Sequence, residues 1–97
     1  MTFADFNEKS WRIPEKYQAR RYSSALHGVG MVDEWPSVPT HVDFARGSAG
    51  AFEENMCVCV ESLIGEETGS ECVKLETQVV LTATGAVRLD SFPWETV

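Results

Sequence analysis

Alternation of apolar and polar side chains is strongest in the second half of the chain. The even positions of 56–64 form one mainly apolar face, and the odd positions form a mixed face. Similar alternation runs through 72–82 and continues over 87–90. Turn-forming residues at 65–70 and 84–86 separate these runs. Period-two alternation is typical of half-buried strands, so the pattern predicts a three-stranded antiparallel meander.

The faces of the strands suggest a pairing register, because a slip of one residue would turn every apolar side chain to water. The predicted pairs are Ile64 with Glu71 in the first hairpin and Ala83 with Val87 in the second. The first register sets Glu61 against Lys74 and Cys59 against Glu76. These side chains are expected on the outer face of the sheet.

The first half of the chain contains one stretch with helical spacing. Pro14 suits a first helical turn, and Gly28 suits the position after a last turn. Between them, apolar positions recur at spacings of four and five. We therefore expect a helix over 14–27. Thr2 is a candidate cap for a short helical turn, with Asp5 three residues later.

Two further strands are expected at 29–32 and 40–45. The stretch between them contains Pro36 and Pro39, which lack the backbone donor that a central strand needs. The predicted fold class is α+β, with the 14–27 helix packed on a four- to five-stranded antiparallel sheet. The chain is interpreted as a single domain over 1–97, with an irregular or short helical lead-in at 1–13 and the sheet at 29–91.

Composition agrees with a globular domain, since 43% of the 97 residues are hydrophobic and 24% are charged. No stretch approaches the roughly 20 apolar residues that span a bilayer. The first residues show no basic and apolar leader, so the expected location is the cytoplasm. Three cysteines, an odd number, fit that compartment better than a disulfide framework.

The net charge of −7 arises entirely after residue 50. Residues 1–50 carry six basic and six acidic groups, whereas residues 51–97 carry two basic and nine acidic groups. This balance argues against direct binding to nucleic acid or to an anionic membrane, because both would be repelled.

No linear catalytic motif is visible. Cys57 and Cys59 would lie on one strand face about 6.5–7 Å apart. A metal site would need two further ligands, and the sequence does not place His27 or His41 near them. We therefore predict no catalytic residue, no metal ligand and no cofactor, and we regard Cys57, Cys59 and Cys72 as small apolar side chains.

Binding to a protein with a basic surface is the function that the charge pattern favours. Acids would steer the domain to the partner, and exposed tryptophans would anchor it. The predicted contact residues are Glu53, Glu61, Glu66, Glu67, Glu71, Glu76, Asp90, Trp35 and Trp94. The leading hypothesis is a non-enzymatic inhibitor of phage or mobile-element type, of the anti-CRISPR or anti-restriction class, that occludes a nucleic-acid-binding groove.

Two alternatives stay open on the sequence alone. The first is a structural or assembly subunit that self-associates, for which a homodimer is the simplest form. The second is a small metal- or ligand-binding domain that uses Cys57 and Cys59.

Overall fold

A computed structural model of the chain describes residues 1–44 and 49–91 and is built around one five-stranded antiparallel sheet. The elements are α1 (Phe3–Lys9), a 3-10 helix (Glu15–Arg20), β1 (Ser24–Val29), β2 (Asp33–Pro39), β3 (Cys57–Gly65), β4 (Cys72–Thr82) and β5 (Gly85–Arg88). Their order across the sheet is β2-β1-β3-β4-β5. The α+β class, the five-stranded sheet and the C-terminal meander are confirmed. The single-domain interpretation stays a prediction.

The predicted helix over 14–27 is wrong. Only Glu15–Arg20 is helical, and it is a 3-10 helix that ends at Arg21 with extended backbone angles. The following residues form β1, which pairs with β2 on one side and β3 on the other. Helix propensity is weak through Tyr22, Ser23 and Ser24, so pairing with two strands outweighs it.

The predicted strands at 29–32 and 40–45 are also wrong. Residues 30–32 connect β1 to β2, and residues 41–43 form a turn. The turn is held by Arg21, whose guanidinium contacts both carboxylate oxygens of Asp43 at 2.7 and 2.8 Å. The strand instead covers 33–39, and both of its prolines are accommodated because β2 lies at the edge of the sheet.

The meander is present, but both predicted registers are shifted. Glu61 lies opposite Glu76 rather than Lys74, a shift of two residues that keeps every side chain on its predicted face. The β4–β5 turn is tighter than predicted, with Thr82 opposite Gly85. That shift of three residues reverses the face of β5 and leaves Val87 and Leu89 exposed.

One face of the sheet forms the hydrophobic core with α1. The buried cluster consists of Phe3, Leu26, Val38, Val58 and Val79. The aromatic rings of α1 pack edge to face against Phe52, with the Phe3 ring centroid 4.9 Å from it. The predicted cap at Thr2 is confirmed, because Thr2 and Asp5 form a reciprocal capping box.

No helix in the described parts of the chain is long and apolar enough to cross a membrane.

Core packing predicts a large stability effect at Leu26, which is 2% exposed and precedes His27 in β1. Leu26→Ala should lower the free energy of unfolding by about 2–5 kcal/mol, because it leaves a cavity between β1, β3 and α1. Chemical denaturation followed by circular dichroism measures this change. Met31→Ala is the control, because Met31 is 99% exposed. Equal effects of the two substitutions would contradict this description of the core.

Candidate metal centre

Four side chains from three adjacent strands converge on the sheet face opposite the hydrophobic core. They are His27 of β1, Cys59 and Glu61 of β3, and Glu76 of β4. Each offers one ligand atom, and these four atoms lie within 4.8 Å of one another. Imidazole nitrogen, thiol sulfur and carboxylate oxygen are all ligands for transition metals.

The strand register explains this convergence. Leu26 pairs with Val60, and its side chain belongs to the core face. Because side chains alternate between faces, the neighbouring pair of His27 with Cys59 points to the opposite face. Glu61 lies two residues after Cys59 and therefore shares that face. Its direct partner across the hairpin is Glu76, which completes the group.

The cluster is largely shielded from water. Cys59 is 4% exposed, and the side chain of Glu61 is 1% exposed. His27 Nε2 lies 3.2 Å from Glu61 Oε2. The Cys59 thiol donates to Glu76 Oε2 at 3.2 Å and lies 3.9 Å from Glu61 Oε2. Glu76 is half-exposed and forms the open side of the cluster.

Two facing carboxyl groups make the cluster electrostatically unusual. Burial raises the pKa of Glu61 above its ordinary value, and a hydrogen bond with Glu76 acts in the same direction. Hydrogen bonds from the Cys59 thiol and from Glu61 lower the pKa of Glu76. Lys74 adds to the effect on Glu76 through an ion pair of 3.4 Å. These effects favour the protonated form of the buried Glu61 and the ionised form of Glu76.

The residues fit a bound cation in two respects. Glu61 and Glu76 lie directly opposite each other, and a divalent cation between them would let both ionise without the repulsion of two like charges facing each other in a sheet. In addition, Glu61 Oε1 is buried without a hydrogen-bond partner among the described residues. A buried oxygen of this kind is costly unless something binds it.

A groove of about 430 Å³ adjoins the cluster. Glu61 and Glu76 contribute to its lining, together with the aromatic residues Trp11 and Tyr22. His41 also lines the groove, and burial and the nearby Arg12 and Arg21 lower its pKa. His41, Trp11 and Tyr22 thus line a groove to which Glu61 and Glu76, but not His27 or Cys59, also contribute.

The structure separates the acidic residues that the sequence grouped into one contact surface. Glu61 and Glu76 lie on the predicted outer face and belong to the cluster, where Glu61 is buried and Glu76 is half-exposed. Asp90 is exposed and accepts hydrogen bonds from Arg88 and Thr77, each at 2.6 Å. The remaining acids are exposed in loops: Glu53 before β3, and Glu66, Glu67 and Glu71 between β3 and β4. Their role in binding a protein stays a prediction.

Of the two tryptophans in the predicted contact surface, only Trp35 lies within the described residues. Trp35 lies in the edge strand β2 and is 64% exposed, with its ring edge to face against Phe3 at 5.7 Å. Trp94 lies outside the described residues.

Sequence reasoning missed His27 because the predicted helix ended there. The sequence feature that could have located it is the run of residues 25–28, in which the apolar Leu26 is followed by the polar His27. This alternation fits a strand as well as the end of a helix. Of the two cysteines in the alternative metal-binding hypothesis, Cys59 belongs to the cluster and Cys57 does not.

Comparison with known proteins gives two similar sequences with the same name, and no protein-family model matches the chain. The chain is 38% identical over 96 residues to "Dimethylsulfoniopropionate lyase DddP" of Roseovarius nubinhibens, a match covering 98% of this chain and 22% of that protein. It is 42% identical over 89 residues to the protein of the same name from Roseobacter denitrificans, covering 86% of this chain and 19% of that protein. The chain thus spans about a fifth of the length of these relatives.

These relatives overturn the predicted function. Both are named as enzymes, so the hypothesis of a non-enzymatic inhibitor of the anti-CRISPR or anti-restriction class is wrong. The prediction that the protein is not an enzyme is wrong for the same reason. What the comparison supports is a part of an enzyme.

The raised pKa of Glu61 predicts how the stability of the metal-free chain depends on pH. A carboxyl group whose pKa is raised on folding stabilises the folded state at acidic pH, and this contribution is lost as the pH rises through the raised value. The free energy of unfolding should therefore decrease as the pH rises above 4.5, the ordinary glutamate value. Glu61→Gln should flatten this decrease, because the amide does not ionise.

Urea denaturation over a pH series in the presence of a chelator measures this effect. Glu53→Gln is the matched control, because Glu53 is exposed and lies outside the cluster. Parallel pH profiles for Glu61→Gln and the unmodified chain would contradict the raised pKa of Glu61.

Proposed function

We propose that this chain forms part of a metal-dependent lyase that acts on dimethylsulfoniopropionate or a close analogue. Its role is to supply ligands for the metal from His27, Cys59, Glu61 and Glu76. The observation that carries the proposal is the convergence of their four ligand atoms within 4.8 Å. The match to the Roseovarius nubinhibens lyase extends over nearly the whole chain, so the strands that bear the cluster lie inside the matched region.

The charge of the cluster supports metal binding over a purely structural role. The buried Glu61 carboxyl group faces a second carboxyl group and has a partnerless oxygen, which costs stability in the folded state and favours an explanation in terms of a ligand. A bound metal would supply a Lewis acid that polarises an oxygen of the substrate. His27, Cys59, Glu61 and Glu76 are the residues of this chain that would hold the metal.

The groove has the chemistry to accept a sulfonium compound. Such a substrate joins a sulfonium cation to a carboxylate. Aromatic rings attract cations over their faces, and Trp11 and Tyr22 border the groove. The ring of Tyr22 already has the Lys74 ammonium group 5.2 Å from its centroid. We propose that the substrate's cationic end lies near these rings and its carboxylate lies near the cluster.

Direct metal binding is the first test of this function. The chain should bind one divalent transition-metal ion, measured by equilibrium dialysis with elemental analysis. His27→Ala and Glu61→Gln should each weaken binding by at least about 100-fold, because loss of a ligand exceeds the 10–100-fold cost of losing its supporting contacts. Glu53→Gln is the matched control and should bind as the unmodified chain does. Equal binding by Glu61→Gln and Glu53→Gln would contradict the site.

Activity is best tested in a chimaera, because the chain covers only a fifth of its relatives. This chain replaces the matching segment of the Roseovarius nubinhibens lyase, and turnover of dimethylsulfoniopropionate is measured. The chimaera should retain turnover, and the same chimaera with His27→Ala should lose at least about 100-fold. A chimaera that folds and binds metal but shows no turnover would contradict the proposed substrate.

A further inference from the structure

Lys74 places a positive charge beside two residues that line the groove. Its Nζ atom lies 5.2 Å from the centroid of the Tyr22 ring and 3.4 Å from Glu76 Oε1. Tyr22 and Glu76 both contribute to the lining of the groove. An ammonium group within about 6 Å of a ring centroid is attracted by the face of the ring. Lys74 therefore already fills a cation position of the kind that a sulfonium group would need at Tyr22.

The contacts of Lys74 are of a kind that exchange readily. Its side chain is 42% exposed, and that of its partner Glu76 is 45% exposed. Ion pairs between exposed side chains contribute little to stability, because water competes for both groups. The ammonium group of a lysine is also carried on a flexible four-carbon stem. Lys74 can therefore leave the Tyr22 ring without a large loss of stability and contact a different anion nearby.

The charge of Lys74 affects simple cations and zwitterions differently. A simple cation that takes the place over the Tyr22 ring leaves the displaced ammonium group close to it, and the two like charges repel each other. A zwitterion brings a carboxylate together with its cation, and this carboxylate gives the ammonium group a new partner. Binding sites commonly gain specificity in this way, from an element that repels the wrong ligand.

We infer that Lys74 is a specificity-determining residue, which makes the groove prefer a sulfonium compound with its own carboxylate over a sulfonium cation without one. The carboxylate of the ligand replaces the Tyr22 ring as the neighbour of the Lys74 ammonium group, and no covalent bond forms or breaks. The inference rests on the proposed function and deepens it, because it names the residue that recognises the zwitterion.

Two unreactive ligands test this inference by isothermal titration calorimetry. Trimethylsulfonium is a sulfonium cation without a carboxylate, and dimethylsulfonioacetate carries both groups but lacks the carbon chain that an elimination needs. The unmodified chain should bind dimethylsulfonioacetate more tightly. Lys74→Met should bind trimethylsulfonium about threefold more tightly and should lower the preference for dimethylsulfonioacetate by about threefold or more, since each effect is of the size of an exposed charge pair.

Lys16→Met is the matched control. Lys16 is also exposed and lies over an aromatic ring, with its Nζ atom 4.9 Å from the centroid of Tyr17. Neither Lys16 nor Tyr17 lines the groove, so removal of this charge should leave both affinities unchanged. Lys74→Arg keeps the charge and should keep the preference for dimethylsulfonioacetate.

A second variant keeps the inference testable even where Lys74→Met fails to fold. Lys74→Gln also removes the charge but retains a polar side chain at this exposed position, and it should change both affinities as Lys74→Met does. An unchanged preference in these variants, or weaker binding of trimethylsulfonium, would overturn the role of Lys74 and leave the proposed substrate class standing. Failure of the unmodified chain to bind either ligand would overturn both.

Discussion

The pairing of β3 with β1 on one side and β4 on the other is the constraint on which the rest of the structure depends. It aligns Leu26, Val58 and Val79 on one face, where α1 covers them. The same alignment places His27 beside Cys59 and Glu61 beside Glu76 on the opposite face. A slip of one residue in either pairing would expose the core and disperse the cluster together. The hydrophobic core and the candidate metal centre are therefore fixed by one register.

The cluster lowers the free energy of unfolding that this register otherwise provides. The carboxyl groups of Glu61 in β3 and Glu76 in β4 face each other, and Glu61 is only 6% exposed. In the metal-free chain the raised pKa of Glu61 favours its protonated form, which reduces this cost. A metal ion would replace that proton and satisfy the partnerless oxygen at the same time. Local conflict with folding rules is expected at functional sites, where the arrangement serves a ligand.

Much of the meander could be predicted from the sequence, because a register error of an even number of residues leaves every side chain on its correct face of the sheet. The two-residue error between β3 and β4 kept Glu61 and Glu76 on one face, although it assigned them the wrong partners. The error between β4 and β5 was three residues, because the turn is tighter than predicted and Gly85 already belongs to β5. An odd error reverses the predicted face of every side chain in β5. The helix at 14–27 failed because pairing with β2 and β3 outweighed weak local preference. With β1 assigned to a helix, His27 could not be brought to the cluster.

The same reasoning explains why the charge count pointed to the wrong function. The excess of acids was interpreted as a contact surface for a basic protein, but two of those acids, Glu61 and Glu76, belong to the cluster. The four cluster residues are spread over positions 27–76 and three strands, so no contiguous motif marks them. Lack of a linear motif is weak evidence against catalysis in a sheet protein, because adjacent strands bring together residues that are distant in sequence. The informative sequence feature was the presence of Cys59, Glu61 and Glu76 on one face of two neighbouring strands. They form a candidate metal centre only because β1 places His27 beside Cys59.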